Sequence, residues 1–385
     1  MKILSLITTL GHGRGGHFYD YVITNEQLVE DGHNVRAVEI GLNRSPIIHD
    51  ANLKKSFIYF NGINMISMLF KLAVIIREFK PDVIQSYDLP SFSAANFISI
   101  VFKVPVAFTK CGGPNPEGKS FFPRLNNVIT YSIENYNYFD CNKLCIPGRS
   151  KKIYTNYELC NSIEKSIQES YGDCLKILRI SRIDEHYEDV FYKSIKYVNK
   201  LYENGIAVKL LIVGVIQSEG LFEKLKEYDK NNVVFWLTDD VYTVNASQLI
   251  HVADLVLATG RGVMEAASIS KPIMVFDTMQ EDPIPLNKEN FHDYFSTNFS
   301  PRSFSSKANE VDSTRFCMEI STDTVLSNKY KEEIESLYFE YFDISKATPV
   351  LVSFLENCKK TPVRLLGNNI LHLLVTIRYL TRIRK

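Results

Sequence analysis

The sequence has no cysteine pattern of the kind that holds a metal or a disulfide framework. Its 7 cysteines are odd in number and scattered, without a CxxC pair or a Cys/His cluster at zinc-site spacing. They are Cys111, Cys141, Cys145, Cys160, Cys174, Cys317 and Cys358. The apolar start, MKILSLITTL, also lacks the small-residue cleavage site of a secretory signal. We therefore expect a reduced, cytoplasmic protein.

Net charge and long apolar runs are absent as well. The 44 Lys and Arg residues balance 44 Asp and Glu residues, which argues against nucleic acid as a partner because such binding needs a clustered basic surface. Lys71 and Lys103 interrupt the longest apolar stretches, which fall short of the roughly 18 residues of a spanning helix. What remains is a chain of 385 residues, 45% of them hydrophobic, which is enough for two domains with a core each.

Short apolar strands alternate with helical patterns in both halves of the chain. The first half contains KILSLIT, NVRAVEI, PDVIQSY and PVAFTK, and the second contains KILRIS, VKLLIVG, VVFWLT, DLVLATG and PIMVFD. Strands that alternate with crossover helices predict a parallel, doubly wound sheet, so each half is expected to be a Rossmann-like α/β domain. We predict domains at residues 1–155 and 156–325, followed by a helical segment at 326–385.

A glycine-rich loop follows the first strand. Gly11, Gly13 and Gly16 have the GxGxxG spacing of dinucleotide-binding loops, and Glu39 stands near the end of the second strand, where such enzymes have an acidic residue for the ribose. An NAD(P)-dependent or epimerase-type enzyme is therefore one alternative. A loop that only turns the chain is another.

Several segments of the first half resemble glycosyltransferase family 4. Gly15-Gly16, a helix, and the GHNV segment at 32–35 are similar to that family's GG turn and GHxV pattern. KPDVIQSYD resembles its PDVIHxHD strand end, with Tyr87 in place of a histidine, and Lys110 stands where the family often has a histidine near the donor sugar. The resemblance implies an acceptor-binding domain.

Three side chains of this half are candidates for contacts with substrates. The resemblance places His17 and Asp88 on the acceptor side, while a helix cap is the alternative for Asp88. Lys110 suits a phosphate or an acidic sugar. Cys111 has no base signature beside it, so we expect an inert thiol.

In the second half, the segment SRI resembles the family's GRL, whose arginine holds the donor diphosphate. Arg182 matches that arginine, and a planar guanidinium suits two phosphoryl oxygens. The family's lysine a few residues later is missing, and His186 lies in its neighbourhood. A surface salt bridge with Asp184 or Glu185 is the alternative for Arg182.

The segment at 253–275, ADLVLATGRGVMEAAS followed by KPIMV, resembles the family's donor-binding block. Gly260 and Gly262 are expected to present free backbone N–H groups at a helix start, which favours a phosphate or sugar oxygen. Glu265 matches the second glutamate of the family's EX7E pair, which accepts hydrogen bonds from the ribose. Leu257 replaces the first glutamate.

The resemblance therefore implies one donor site, in which Arg182 and Glu265 act in catalysis and Leu237 and Thr238 lie near the base. Its residues are Gly15, Gly16, Lys110, Arg182, His186, Leu237, Thr238, Gly260, Arg261, Gly262, Val263 and Glu265. Asp239-Asp240 is predicted to be a turn rather than a metal site. No metal and no cofactor is expected.

The end of the chain, residues 359–385, is basic and has apolar residues at helical spacing. Its cations are Lys359, Lys360, Arg364, Arg378, Arg382, Arg384 and Lys385, its apolar positions are Leu365, Leu366, Ile370, Leu373, Leu374, Ile377 and Leu380, and it has no acidic residue. A basic amphipathic helix predicts binding to an anionic membrane surface. Packing onto the first domain is the alternative.

Together these features predict a GT-B fold, with two Rossmann-like domains facing across a cleft and a helical tail. The resemblance implies a cytoplasmic, retaining glycosyltransferase, peripheral at the inner membrane face. It would move a hexose-type sugar from a nucleoside diphosphate carrier, UDP, to a lipid-linked glycan in surface polysaccharide synthesis. A non-catalytic GT-B partner subunit is the alternative that the missing glutamate, lysine and histidines favour.

Overall fold

The computed structural model describes residues 1–118, 122–308, 312–360, 362 and 366–383. It divides into two compact units. The first unit comprises Met1–Arg149 and Ile344–Lys385, and the second unit comprises Ser150–Asp343. The residues after 325 are thus divided between the two units, since those up to 343 belong to the second unit and those from 344 onward to the first. The boundaries of functional domains at 155/156 and 325/326 stay a prediction.

Each unit is built on one sheet. The strands are β1 (Lys2–Thr9), β2 (Asn34–Gly41), β3 (Lys55–Tyr59), β4 (Val83–Ser86), β5 (Val106–Lys110), β6 (Asn127–Thr130), β7 (Asn142–Cys145), β8 (Leu175–Ile180), β9 (Val208–Val213), β10 (Val234–Leu237), β11 (Leu255–Ala258), β12 (Ile273–Val275) and β13 (Ile284–Pro285). The first sheet has the order β3-β2-β1-β4-β5-β6-β7 and is parallel throughout. The second has the order β10-β9-β8-β11-β12-β13, and β13 alone of the described strands is antiparallel to its neighbour.

Helices connect the strands and cover the sheets. They are α1 (Gly16–Glu30), α2 (Pro46–Asp50), α3 (Met65–Phe79), α4 (Leu89–Phe102), α5 (Ile133–Tyr138), α6 (Tyr157–Tyr171), α7 (Glu188–Glu203), α8 (Glu219–Tyr228), α9 (Asp240–Thr243), α10 (Arg261–Ala267), α11 (Phe291–Phe295), α12 (Ser313–Thr322), α13 (Thr324–Leu337), α14 (Ile344–Glu356) and α15 (Leu366–Ile383). Short 3-10 turns are also present at Glu185–Tyr187 and Ala246–Val252, and a π-helical turn at Tyr338–Phe342.

The sequence pattern explains why these elements form. Seven of the eight residues of β1 and all six of β9 are buried, as expected for strands of a parallel sheet that is covered on both faces. Polar side chains cap many of the helices: Ser132, Asn156 and Ser218 each accept a backbone N–H of the first turn of α5, α6 and α8. The prediction of two Rossmann-like doubly wound sheets is confirmed.

The C-terminal helix α15 belongs to the first unit. It packs against α4, and Leu373 and Leu380 are buried in the same apolar cluster as residues of α3 and α4. Arg364, Leu365, Arg384 and Lys385 lie outside the described residues, as do the side chains of Leu366 and Arg382. Within the described part of the chain, every helix is too short or too polar to cross a bilayer.

Candidate functional site

In the second unit, the candidate residues gather at the carboxyl ends of two neighbouring strands. The chain leaves β8 towards β9 on one side and leaves β11 towards β12 on the other, so β8 and β11 flank the switch point of the sheet. Open parallel sheets bind their ligands in the crevice outside this point. Arg182 and His186 follow β8, and Gly260 and Arg261 follow β11.

Arg182 is exposed, and its guanidinium lies over the ring of Tyr187 at 5.5 Å from the ring centre. Asp184 does not pair with it, because the Asp184 carboxylate accepts the backbone N–H of His186 and caps the turn at Glu185–Tyr187. Among the described residues, Arg182 has no ion pair. The surface salt bridge, which was the alternative prediction for Arg182, is therefore not found among the described residues. The guanidinium faces solvent at the switch point.

Backbone N–H groups of the loop after β11 have acceptors, whereas the sequence predicts that they are free. Gly260 has φ 54° and ψ −123°, a conformation that side chains other than glycine rarely adopt. Its N–H donates to the carbonyl of Phe299 at 3.0 Å, that of Gly262 to Thr259 at 3.1 Å, and that of Val263 to Gly260 at 3.2 Å. The prediction that Gly260 and Gly262 leave these donors free is wrong for this structure, because local turns and a distant carbonyl already use them.

Glu265 lies in α10 and is paired with Arg261 one turn earlier. The Nε atom of Arg261 donates to Oε1 of Glu265 at 2.7 Å, and both side chains are about nine-tenths buried. A charge-assisted contact of this kind fixes the direction of the carboxylate. A carboxylate has about four acceptor positions, and the Nε atom of Arg261 uses one of them. Leu257 is buried within β11, which shows that the position of the first glutamate is part of the strand here.

The end of β10 lies at the same edge of the second sheet, two strands away from β8. Leu237 is buried, and its carbonyl accepts the N–H of Gly214 at 3.3 Å, whereas Thr238 is half-buried. A side chain on Gly214 would place its Cβ 1.9 Å from the carbonyl oxygen of Ser181. The glycine that ends VKLLIVG therefore lets the end of β9 approach the turn that carries Arg182.

In the first unit, the switch point lies between β1 and β4, and Asp88 stands there as a structural residue. Its Oδ1 accepts the hydroxyl of Thr8 at 2.7 Å and the N–H of Ser91 at 2.8 Å. The carboxylate thus caps α4 and fastens it to β1. A helix cap was the alternative prediction for Asp88, and the structure shows this cap. The role of Asp88 on the acceptor side stays a prediction.

The glycine loop of the first unit is held from within the fold. Gly13 has φ 67° and lies against Ser45, whose hydroxyl donates to the Gly13 carbonyl at 2.6 Å. Glu39 accepts the Thr9 hydroxyl at 2.6 Å and the backbone N–H of Ser45. Burial raises the pKa of Glu39. These contacts explain Glu39 without a ribose, which weakens the dinucleotide alternative.

The other candidates of this unit lie at the same edge of the first sheet. Gly15 precedes α1 and Gly16 begins it, and the ring of His17 packs on Phe18 with 4.2 Å between ring centres. The Nζ atom of Lys110 donates to the carbonyl of Gly112 at 2.6 Å. Burial raises the pKa of the Cys111 thiol well above its ordinary value, so the thiol stays protonated and inert, as expected.

Two buried arginines were missed by the sequence interpretation. Arg149 lies 3.2 Å from Asp20 through its Nε atom and stacks on the ring of Tyr131 at 3.8 Å, inside the first unit. Arg179 lies in β8 and is fully buried. The sequence contains a signal for Arg179, because this cation stands between the apolar residues Leu178 and Ile180 in the predicted strand KILRIS. No group of three His, Cys, Asp or Glu side chains that could hold a metal occurs among the described residues.

Comparisons with known proteins identify the fold. Neither a family model nor a curated protein matches the sequence. Among solved structures, the glycosyltransferase from Rickettsia africae ESF-5 is similar with a TM-score of 0.64 and 15% identity, over 92% of this chain and 98% of that one. HepE from Anabaena, in complex with UDP and glucose, is similar with a TM-score of 0.65 and 15% identity, over 93% of this chain and 100% of that one.

A further similar structure is named as an epimerase and not as a glycosyltransferase. UDP-GlcNAc 2-epimerase from Neisseria meningitidis, bound to UDP-GlcNAc, has a TM-score of 0.52 and 14% identity, over 93% of this chain and 100% of that one. At such identities the similarity shows the fold, which confirms the predicted GT-B class with its two Rossmann-like domains. Function must be argued from the site, because one fold supports several activities.

Proposed function

We propose that this protein is a glycosyltransferase that takes a sugar from a nucleoside diphosphate-sugar, with UDP as the carrier. The observation that carries the proposal is the position of Arg182 and Glu265, which stand beyond β8 and β11 on the two sides of the switch point. The exposed guanidinium suits a diphosphate, and the carboxylate suits ribose hydroxyls. The similar structures from Anabaena and Neisseria were solved with UDP or a UDP-sugar, which supports the choice of carrier.

The proposed chemistry is stabilisation of the leaving group. When the bond between the anomeric carbon and the diphosphate breaks, negative charge grows on the phosphoryl oxygens, and a cation aimed at them lowers the barrier. Arg182 supplies that cation in the second unit. Retention of the anomeric configuration, a lipid-linked glycan as the acceptor, and a place in surface polysaccharide synthesis complete the proposal. All three rest on the resemblance to glycosyltransferase family 4.

Calorimetric titration of the full chain with UDP, GDP, ADP and NAD tests the donor site. We expect one nucleoside diphosphate to bind and the Glu265→Ala variant to lose at least about 10-fold in affinity, the effect of about 1.4 kcal/mol. Glu319→Ala is the matched control, because Glu319 also pairs with an arginine one turn earlier, Arg315, but lies in α12. Binding that is unchanged in Glu265→Ala, or binding of NAD alone, would refute the proposal.

The replacement of the first family glutamate by Leu257 favours a second candidate, a non-catalytic GT-B subunit. The fold also serves an epimerase. Incubation with UDP-sugars separates the three possibilities. Release of UDP with transfer to an acceptor or to water supports a glycosyltransferase, a changed sugar with UDP still attached supports an epimerase, and binding without turnover supports the non-catalytic subunit.

We further propose that the first unit binds an anionic membrane through a surface made by α3, α4 and α15, which we call the helical face. Its apolar side chains project into solvent: Ile66 is 83% exposed, Phe70 69% and Val101 76%. The exposed residues Ile370, Leu371, Leu374 and Val375 form a stripe along α15. Lys71 of α3, Arg378 of α15 and Lys103, which directly follows α4, are exposed. The helical face therefore combines apolar area with cations, as membrane-surface helices do.

Flotation with lipid vesicles tests the helical face. We expect the full chain to float with vesicles rich in phosphatidylglycerol and to stay behind with pure phosphatidylcholine. The double variant Ile66→Ser with Phe70→Ser should lose most of the binding. Val325→Ser is the control, because Val325 is equally exposed at 80% but belongs to the second unit. Equal flotation of all variants would exclude this surface.

A further inference from the structure

Arg179 is a buried cation without a protein partner. It is the fifth of the six residues of β8, and its relative exposure is 0%. Its guanidinium carbon lies 5.2 Å from the ring centres of both Phe191 and Phe276. None of its three guanidinium nitrogens has a hydrogen-bond acceptor among the residues that the structure describes.

Such an arrangement is unfavourable unless something else binds the charge. Burial lowers the pKa of Arg179 to about 10, so the group stays protonated at neutral pH. A buried charge without a partner strongly destabilises a fold. The two phenylalanine rings attract the cation, but they leave the five N–H donors without oxygen acceptors. The missing partner is therefore an acceptor with negative charge.

The surroundings of Arg179 place it at the ligand-binding edge of the sheet. Phe191 lies in the first turn of α7 after β8, and Phe276 directly follows β12, so both rings stand at the carboxyl ends of strands. Three residues after Arg179 comes Arg182. The ring of Tyr187, which is half-buried, lies below the Arg182 guanidinium and packs on the cluster that contains Phe191 and Phe276.

We propose that Arg179 is a second phosphoryl-binding residue, which holds the diphosphate of the donor together with Arg182 after the ring of Tyr187 moves aside. This inference rests on the proposed function and deepens it. The loop after β11 makes a second cation necessary, because the N–H groups of Gly260, Gly262 and Val263 already have acceptors. A phosphoryl group offers several oxygens to the planar guanidinium and neutralises its charge.

The test compares stability and binding in Arg179→Met, a side chain of similar length without charge. We expect its melting temperature without ligand to equal or exceed that of the wild type, because an unpaired buried charge is removed. Its affinity for pyrophosphate and for UDP should fall by about 10-fold or more, as for a lost charge-assisted contact. Arg179→Lys keeps the charge without the planar fork and should lose less. Arg315→Met, in which an exposed arginine of α12 is replaced, should bind as the wild type does.

The outcomes separate this inference from the proposed function. If Arg179→Met and Arg179→Lys both bind pyrophosphate and UDP like the wild type, Arg179 has no phosphoryl role, while the proposed function stands. If the wild type binds pyrophosphate through Arg179 but binds no nucleoside diphosphate, the phosphoryl site stands and the proposed function fails. If the wild type binds neither, both fail. Should Arg179→Met not fold, a wild-type affinity of Arg179→Lys for both ligands overturns the inference by itself.

Discussion

At the scale of single residues, the carboxylates of Asp88, Glu39 and Glu265 differ in what they contact, and the contact decides what each one does. Asp88 accepts donors from β1 and α4, Glu39 accepts from Thr9 and Ser45, and Glu265 accepts from Arg261. The contacts of Asp88 and Glu39 join neighbouring elements of the first unit and explain both residues by stability. Glu265 differs in that its partner is a cation, Arg261, and it stands at the switch point of the second sheet, where a ligand is expected.

Glu39 makes stability depend on pH in a defined direction. Its pKa is raised chiefly by burial. An acid with a higher pKa in the folded than in the unfolded state favours folding at low pH, and this contribution is lost as the pH rises through the folded-state pKa. Glu39→Gln keeps an oxygen for Thr9 and Ser45 but does not titrate. We therefore expect the variant to gain stability relative to the wild type as the pH rises from about 4 to 7.

Urea unfolding at several pH values measures this difference in the free energy of unfolding. The matched control is Glu332→Gln, because Glu332 is exposed in α13 and shows no contact of this kind. A constant difference between Glu39→Gln and the wild type across this pH range would contradict the effect of burial.

At the scale of elements, α15 buries polar side chains beside Leu373 and Leu380 and exposes several apolar ones. The residues buried against the first unit include Asn369, His372 and Thr376, whereas Leu371 and Leu374 are exposed. Across the interface, α4 buries Ser93 and Asn96, and Ser93 Oγ lies 3.3 Å from Nδ1 of His372. Exposed apolar residues along a helix that also has cations are typical of helices that lie on a membrane surface, which agrees with the proposed role of the helical face.

Asn96 is the residue of this interface that is expected to weaken the fold. It is fully buried, and neither its Oδ1 nor its Nδ2 atom has a partner among the described residues. Leucine has a similar branched shape, so Asn96→Leu should raise the free energy of unfolding by about 1–2 kcal/mol. Asn135→Leu should do the opposite, because Asn135 Nδ2 donates to Asn115 and Gly113. Denaturant unfolding of both variants measures these changes in the free energy of unfolding. A loss of stability in Asn96→Leu would show that Asn96 has a partner, such as a buried water.

A comparison of predicted with observed elements shows which parts of the fold the sequence predicts. The hydrophobic periodicity of the sequence predicts helices at 63–79, 187–203 and 220–228. The helices α3, α7 and α8 begin and end within two residues of these bounds, because periodicity is a local signal. The short edge strand β3 was not predicted, since its five residues carry little pattern. The loss of free N–H groups at Gly260 depends on Phe299, which is remote in sequence. Tertiary contacts of that kind leave no local signal.

At the scale of the whole molecule, the second unit is an insertion in the first. It is one continuous segment, whereas the first unit is made of two. Its ends lie side by side: the N–H of Ser150 donates to the carbonyl of Phe342 at 2.7 Å, and the hydroxyl of Tyr338 donates to the carbonyl of Ser150 at 3.2 Å. Adjacent ends are what an inserted domain needs, because the host chain then continues almost where it stopped.

This arrangement predicts that residues 150–343 fold alone. The segment contains a complete sheet with its own apolar clusters, so its unfolding should be a single cooperative transition. Because Arg179, Arg182, Arg261 and Glu265 all lie in this segment, it should bind the same nucleoside diphosphate as the full chain, with a Kd within about a factor of three. Circular dichroism and calorimetry of the isolated segment test this. A folded segment that does not bind the nucleotide would refute this prediction.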